Sequence, residues 1–209
     1  MSSSLRACLG KLIPEETGKR EEILRAHGDD PIANVTARQM SEGLAGAKVL
    51  LSMLPRGASR VDNVKGLIIA GDPILSIARQ PFEEIVFRLL TSRPPTEAEL
   101  RDLREDLQRR RMAFWQGPQW ERFLQLVEAN VYVRSDPMDS LSAIIKGLSY
   151  DTRMGRALGE YAPEEITWED RLDDMLDLLV VASISAAAIY RRLYADGKLI
   201  APQKEDSFA

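Results

Sequence analysis

Cysteine and histidine each occur once in the 209 residues, as Cys8 and His27. A lone thiol closes no internal disulfide, which excludes a disulfide-built secreted scaffold and points to a reducing compartment. A lone imidazole excludes a two-histidine site within the chain, whether for metal or for acid–base chemistry. There is no Gly-x-x-x-x-Gly-Lys-Ser/Thr loop, Gly-x-Gly-x-x-Gly, Cys-x-x-Cys or His-Glu-x-x-His, so the standard nucleotide and metal motifs are missing. Excess positive charge is lacking as well: 28 Lys+Arg stand against 32 Asp+Glu, a net charge of -4, which argues against a nucleic-acid-coating surface. The start, Met1 to Arg6, leads into no apolar stretch of signal-peptide length, and a cytoplasmic chain is expected.

What is present is an ordinary globular composition, 44% hydrophobic and 29% charged, sufficient for one domain with an appendage. Residues 1–42 read as a polar N-terminal extension, in which Pro14, Gly18, Gly28 and Pro31 break any long element. His27, in Arg25-Ala26-His27-Gly28-Asp29-Asp30, belongs on a solvated surface. A Cys8–His27 catalytic pair would need two positions of this stretch to meet, with no third residue to orient them. Beyond it, Ala47 to Leu54 and Asn63 to Gly71 are apolar runs of strand length bounded by glycine. They predict a small β-hairpin-like element leaning on helices.

From Asp72 onward the pattern is helical, giving a mainly α fold. Asp72-Pro73 reads as an N-cap with proline at N1 for a short helix through Ala78. Phe82, Ile85, Val86, Leu89 and Leu90 form a core-facing stripe, ended by Arg93-Pro94-Pro95. Thr96-Glu97-Ala98-Glu99 is a capping box opening a helix that buries Leu100, Leu103 and Leu107. The Arg109-Arg110-Arg111 run at its end fits a solvated face complementing the helix dipole better than a phosphate patch. Phe114, Trp115, Trp120, Phe123, Leu124 and Val127 are spaced for core packing, not interleaved with basic residues as base stacking requires. Asp136-Pro137 starts a helix burying Met138, Leu141, Ile144, Ile145 and Leu148. Helix capping accounts for the carboxylates of Asp136 and Asp139 without invoking chemistry. Asp151 to Pro163 reads as a connection.

Thr167-Trp168-Glu169-Asp170 opens the longest helix, running to about Tyr194. Leu178 to Tyr190 carries no charge over 13 residues, too short to span a bilayer, for which about 18 or more are needed. Such a helix is either a central core helix or half hidden by another subunit. Its small residues, Ala182, Ser183 and Ser185 to Ala188, permit close approach of a second helix.

The order of these pieces resembles the N-terminal half of citrate synthases over residues 43–209. Gly43-Leu44-Ala45-Gly46 is similar to that family's opening Gly-Leu-x-Gly strand, and Arg60 to Ile68 to its Ser-x-Val-Asp-Gly-x-x-Gly-x-Leu turn and strand. Asp72-Pro73-Ile74, Phe82 to Leu90, and Pro95 to Leu100 resemble its Tyr-Pro-Ile, Phe-Glu-Glu-Val-x-x-Leu-Leu and Leu-Pro-Thr-x-x-Glu-Leu run. Asp136 to Leu141 resembles His-Pro-Met-x-x-Leu, with Asp136 in place of the histidine, and Ile184 to Arg192 resembles Pro-Thr-Ile-x-Ala-x-x-Tyr-Arg. Ile69-Ala70-Gly71-Asp72 replaces the family's Tyr-Arg-Gly-Tyr. In that family the catalytic histidines and aspartate, the CoA-binding segments and most citrate-binding arginines lie in the C-terminal half. Lys204 to Ala209 resembles the segment just before it.

The resemblance implies a citrate synthase-like set of large-domain helices carrying no catalytic, cofactor-binding or metal-binding residue of its own. It further implies a non-catalytic scaffold or dimerisation subunit whose partner is a separate C-terminal catalytic subunit, with acetyl-CoA only as a substrate of the assembled enzyme. Self-association would run through two helices, with Met138, Leu141, Ile144 and Ile145 on the first. On the second stand Leu178, Val181, Ala182, Ser185, Ala186 and Ile189. The alternative is a catalytically inactive regulatory or interaction protein derived from the same family, with residues 1–42 as its recognition element. Neither nucleic acid nor membrane is an expected partner.

Overall fold

A computed structural model describes residues 3–32, 35–36, 59–62, 66–132, 134–159 and 166–203. The expected strand run Ala47 to Leu54 lies outside them. The chain divides into two compact units, Ser2–Leu103 and Arg104–Ala209.

In the first unit, α1 (Ser3–His27) passes straight through Pro14, which corrects the expectation that residues 1–42 hold no long element. Pro14 is exposed and forfeits one backbone bond, and Gly18 costs roughly 1 kcal/mol against alanine. Neither outweighs the good helix formers around them or the Lys19 Nζ contacts to Glu15 at 2.6 Å and Glu16 at 2.9 Å. The first turns are held by buried Leu5 and Leu9 and by the Ser4 N–H and Oγ, which donate to Asp102 Oδ2 at 2.9 and 2.5 Å.

Two short strands, β1 (Pro31–Ile32) and β2 (Val35–Thr36), pair antiparallel. A second antiparallel sheet has the order β3 (Ser59–Asp62), β4 (Gly66–Ile69), β5 (Asp72–Pro73). Ala70 and Gly71 join β4 to β5 with φ of 50° and 90°, the positive values a primed two-residue hairpin turn requires. Asp72-Pro73 is therefore strand rather than a helix cap. The helix that follows, α2 (Ile74–Ile77), starts without a side-chain cap, and the Asp72 carboxylate instead accepts from Arg88 Nη1 at 2.6 Å.

The next helix, α3 (Phe82–Thr91), buries Glu83, Val86, Phe87, Arg88 and Thr91. Phe82 is exposed and Ile85, Leu89 and Leu90 are half-buried, so the face is turned from the predicted stripe. Polar anchoring explains the turn. Arg88 also holds Glu84 at 3.0 Å, and the Arg93 guanidinium lies 5.1 Å over the Phe87 ring. α4 (Glu97–Gln116) begins at the expected box. The Thr96 N–H donates to Glu99 Oε2 at 2.8 Å and the Glu99 N–H to Thr96 Oγ1 at 3.3 Å. Arg93 grips the same carboxylate at 2.5 and 2.9 Å and, with the Thr96 groups, lowers the Glu99 pKa to about 2.

The second unit holds the rest of α4, then α5 (Gln119–Asn130), α6 (Pro137–Ser149), α7 (Arg153–Gly159) and α8 (Trp168–Tyr194). Phe114, Phe123, Val127, Ile144, Leu148 and Val181 are among its buried core residues, each such large side chain worth roughly 1.5–3 kcal/mol of transfer free energy. Phe114 meets Trp120 and Phe123 edge-on at 6.0 and 5.6 Å between centroids. Leu124, expected in this core, is exposed. Asp136 caps α6 as expected, accepting from the Met138 and Asp139 N–H groups at 2.8 and 3.2 Å. A Cβ on Gly147 would stand 2.9 Å from the Leu126 side chain, so glycine sets the close approach of α5 and α6. The connection expected over residues 151–163 contains α7. No helix among the described residues is long and apolar enough to cross a membrane.

Candidate functional site

Helix α8 starts at a capping box in which the Thr167 Oγ1 accepts the Asp170 N–H and the Asp170 carboxylate accepts the Thr167 N–H, both at 3.2 Å. One turn further, Asp173 and Asp174 are buried, a placement ionised groups tolerate only when paired. The Arg110 side chain, 11% exposed, supplies the pairing. Its Nη2 donates to Asp173 Oδ1 at 2.6 Å, its Nη1 to Asp177 Oδ1 at 2.6 Å, and its Nε to Asp106 Oδ2 at 3.0 Å. From α7, Arg153 Nη1 reaches Asp173 Oδ2 at 3.2 Å. Asp174 caps α7 from outside that helix, accepting the Arg153 and Met154 N–H groups at 3.2 and 2.7 Å.

The arginine run is thus no solvated face. Arg109 is exposed and pairs with Asp106, whereas Arg110 and Arg111 lie inside, where carboxylates and Gln108 engage them. Spacing alone could not show this, because the acids that draw Arg110 inward stand some sixty positions later. Two concavities flank the network, one of about 160 Å³ bordered by Thr152, Arg153 and Asp174, the other of about 300 Å³ bordered by Arg110, Phe114 and Gln119. In their walls Arg110 holds Asp177, Arg153 holds Asp173, and Asp174 accepts two backbone amides, which leaves a structural assembly rather than an acid–base pair.

Elsewhere, His27 lies exposed at the end of α1, with Nδ1 2.9 Å from Asp30 Oδ2. Cys8 is nineteen residues away on the same helix, a rise of about 28 Å, so the two do not meet. No group of three or more His, Cys, Asp or Glu among the described residues could hold a metal ion.

The surface residues expected at a helix interface fall into three groups. Met138 and Ala186 are exposed; Leu141, Ile145, Leu178 and Ala182 are half-buried; Ile144, Val181, Ser185 and Ile189 are buried within the chain itself. On α8, Ala186, Ala187, Tyr190 and Tyr194 are all exposed, with the two tyrosine rings 5.7 Å apart. Their spacing of three and four along the helix was legible in the sequence; which way that face points was not.

A family model described as "Citrate synthase, C-terminal domain" matches residues 43–209. The chain is 24% identical over 218 residues to the mitochondrial citrate synthase of Aspergillus niger, a match covering 100% of this chain and 44% of that protein. It is 26% identical to the mitochondrial citrate synthase of Tetrahymena thermophila, over 95% of this chain and 44% of that protein. The Saccharomyces cerevisiae mitochondrial enzyme is also 26% identical, over 94% of this chain and 41% of its own length. The chain therefore spans less than half the length of each of these relatives. With a match over four-fifths of its residues, the chain belongs to the citrate synthase family.

Proposed function

We propose that this chain is the non-catalytic, helical half of a two-chain citrate synthase-like enzyme that condenses acetyl-CoA, or another acyl-CoA, with oxaloacetate. A separate chain supplies the catalytic half, and the assembled enzyme, not this chain alone, takes the acyl-CoA. The observation carrying the reading is a family match over residues 43–209 in a chain covering 44% of its relatives. Chemistry supports it. Condensation at the acetyl methyl carbon needs a base to remove a proton and an acid at the accepting carbonyl, and the described residues offer interlocked ion pairs and one surface histidine. The chain's role is then to supply scaffold and a surface for self-association through α6 and α8. The compartment that suits the unpaired thiol of Cys8 is the cytoplasm.

The test is to purify the chain alone and with a citrate synthase C-terminal half, and to follow CoA release from acetyl-CoA and oxaloacetate. Activity in the mixture only, with co-elution on a sizing column, is the expected result. A stable homodimer that neither binds the second half nor gains activity would overturn the proposal in favour of an inactive interaction protein.

A further inference from the structure

Beyond α8 the chain turns back on itself. The Gly197 N–H donates to the Arg191 carbonyl at 2.9 Å, and Gly197 has a φ of 72°, a left-handed conformation that glycine adopts without strain. The Asp196 carboxylate accepts from the Arg191 guanidinium and from the Lys198 N–H, the latter at 3.1 Å, so the reversal sets the direction in which residue 198 leaves. Leu199 then packs against the core of the second unit. Four residues later the Gln203 carbonyl accepts from Gln108 Nε2 at 2.5 Å, which brings the chain onto α4.

Between these two anchors apolar burial has little hold, since Ile200 and Ala201 are exposed and Pro202 is only half-buried. Proline fixes its own φ and keeps the residue before it extended, so Ala201-Pro202 bridges the gap at a small cost in entropy. The second anchor is directional. A glutamine amide has an acceptor on one side and donors on the other, and its neighbour settles which side faces Gln203. The buried Arg111, whose guanidinium can only donate, gives an N–H to Gln108 Oε1, and the NH2 group is thereby turned to the Gln203 carbonyl. Gln108 and Arg111 stand three apart on α4, on one face of the helix, so the backbone holds the pair in register.

We infer that residues 198–203 form a strap with two closures: Leu199 in the core, and the Gln203 carbonyl in a clasp made by Gln108 and oriented by Arg111. The clasp decides whether residues 200–203 lie on α4 or move free of it, and it opens and closes while the helices stay folded. The inference does not depend on the existence of a catalytic partner chain.

Spin labelling of the full chain tests it. In a C8S background a nitroxide is attached at A201C on the strap or, as a reference, at A187C on α8, both exposed positions, and its mobility is read from the electron paramagnetic resonance spectrum. In the parent the strap label is expected to be restricted. Q108M offers neither donor nor acceptor, and Q108E keeps an acceptor for Arg111 but has no donor for the Gln203 carbonyl. In both, the correlation time of the strap label is expected to shorten about threefold, toward that of a free tail, with the reference spectrum unchanged. A strap spectrum equal to the parent's in Q108M overturns the clasp, as does a fully mobile strap label in the parent. If the charge of Q108E disturbs the reference label, Q108M decides. A reference label that moves by the same factor as the strap label in both variants also overturns the clasp, because Gln108 would then hold the fold of the unit rather than the strap.

Discussion

The two longest helices among the described residues, α1 with 25 residues and α8 with 27, are built in opposite ways. α1 buries two residues, Leu5 and Leu9, near its start, and beyond Pro14 it is polar and largely exposed. α8 buries nine residues along its length, two of them aspartates. Local preference and i,i+4 pairs hold the outer turns of α1; tertiary packing and a buried ionic network hold α8. Helix length is therefore a poor guide to what a helix contributes.

Removing one partner of a buried ion network leaves the others without compensation, so Arg110→Ala is expected to lower stability by about 3–5 kcal/mol in urea unfolding. Loss of less than a third of that would mean the α8 network is no more than a surface feature like those of α1. Packing comes next. Leu176→Ala, at a fully buried position, is expected to cost about 2–5 kcal/mol. Ile23→Ala in α1, where Ile23 is 46% exposed, should stay within about 0.5 kcal/mol, and equal losses at the two sites would erase the contrast.

Pro14→Ala acts on α1 alone. It restores a helical N–H and removes a residue that costs about 3 kcal/mol relative to alanine in a helix interior. Slower amide exchange at residues 15–27 is expected, with little change in the global midpoint, because exposed turns open locally. The smallest effect concerns pH. Glu99 falls from the ordinary 4.5 to about 2 in the folded chain, chiefly through Arg93. Its contribution is present above pH 4.5 and is lost as the pH falls toward 2. Glu99→Gln should flatten the stability profile in that window by lowering stability at neutral pH, where the ion pair with Arg93 is made, and by changing it least near pH 2. An unaltered acid limb would show that the Arg93 contact is not maintained in solution.

Helix starts were the most legible features in the sequence, because a cap is a local event among four residues. Thr96 with Glu99, and Asp136 with Pro137, are found as read. The breakers in residues 1–42 were weighed too heavily, since a proline on an exposed face removes one bond, not a helix. Asp72 was assigned as a cap because its distant partner, Arg88, is invisible to a local pattern. Arg110 was placed in solvent for the same reason, its acids standing on α8.

The amino-acid sequence by itself determined the mainly helical class, the capped beginnings of α4, α6 and α8, the lone histidine that excludes a two-histidine site, and the family. All of these follow from composition, short spacings or ordered motifs. Tertiary structure decided which face of each amphipathic helix is covered, most visibly on α3, where Phe82 is exposed and Glu83 and Arg88 are buried. The physical reason is range: the groups that Asp173, Asp174 and Asp177 meet stand on α4 and α7, beyond the reach of any local pattern.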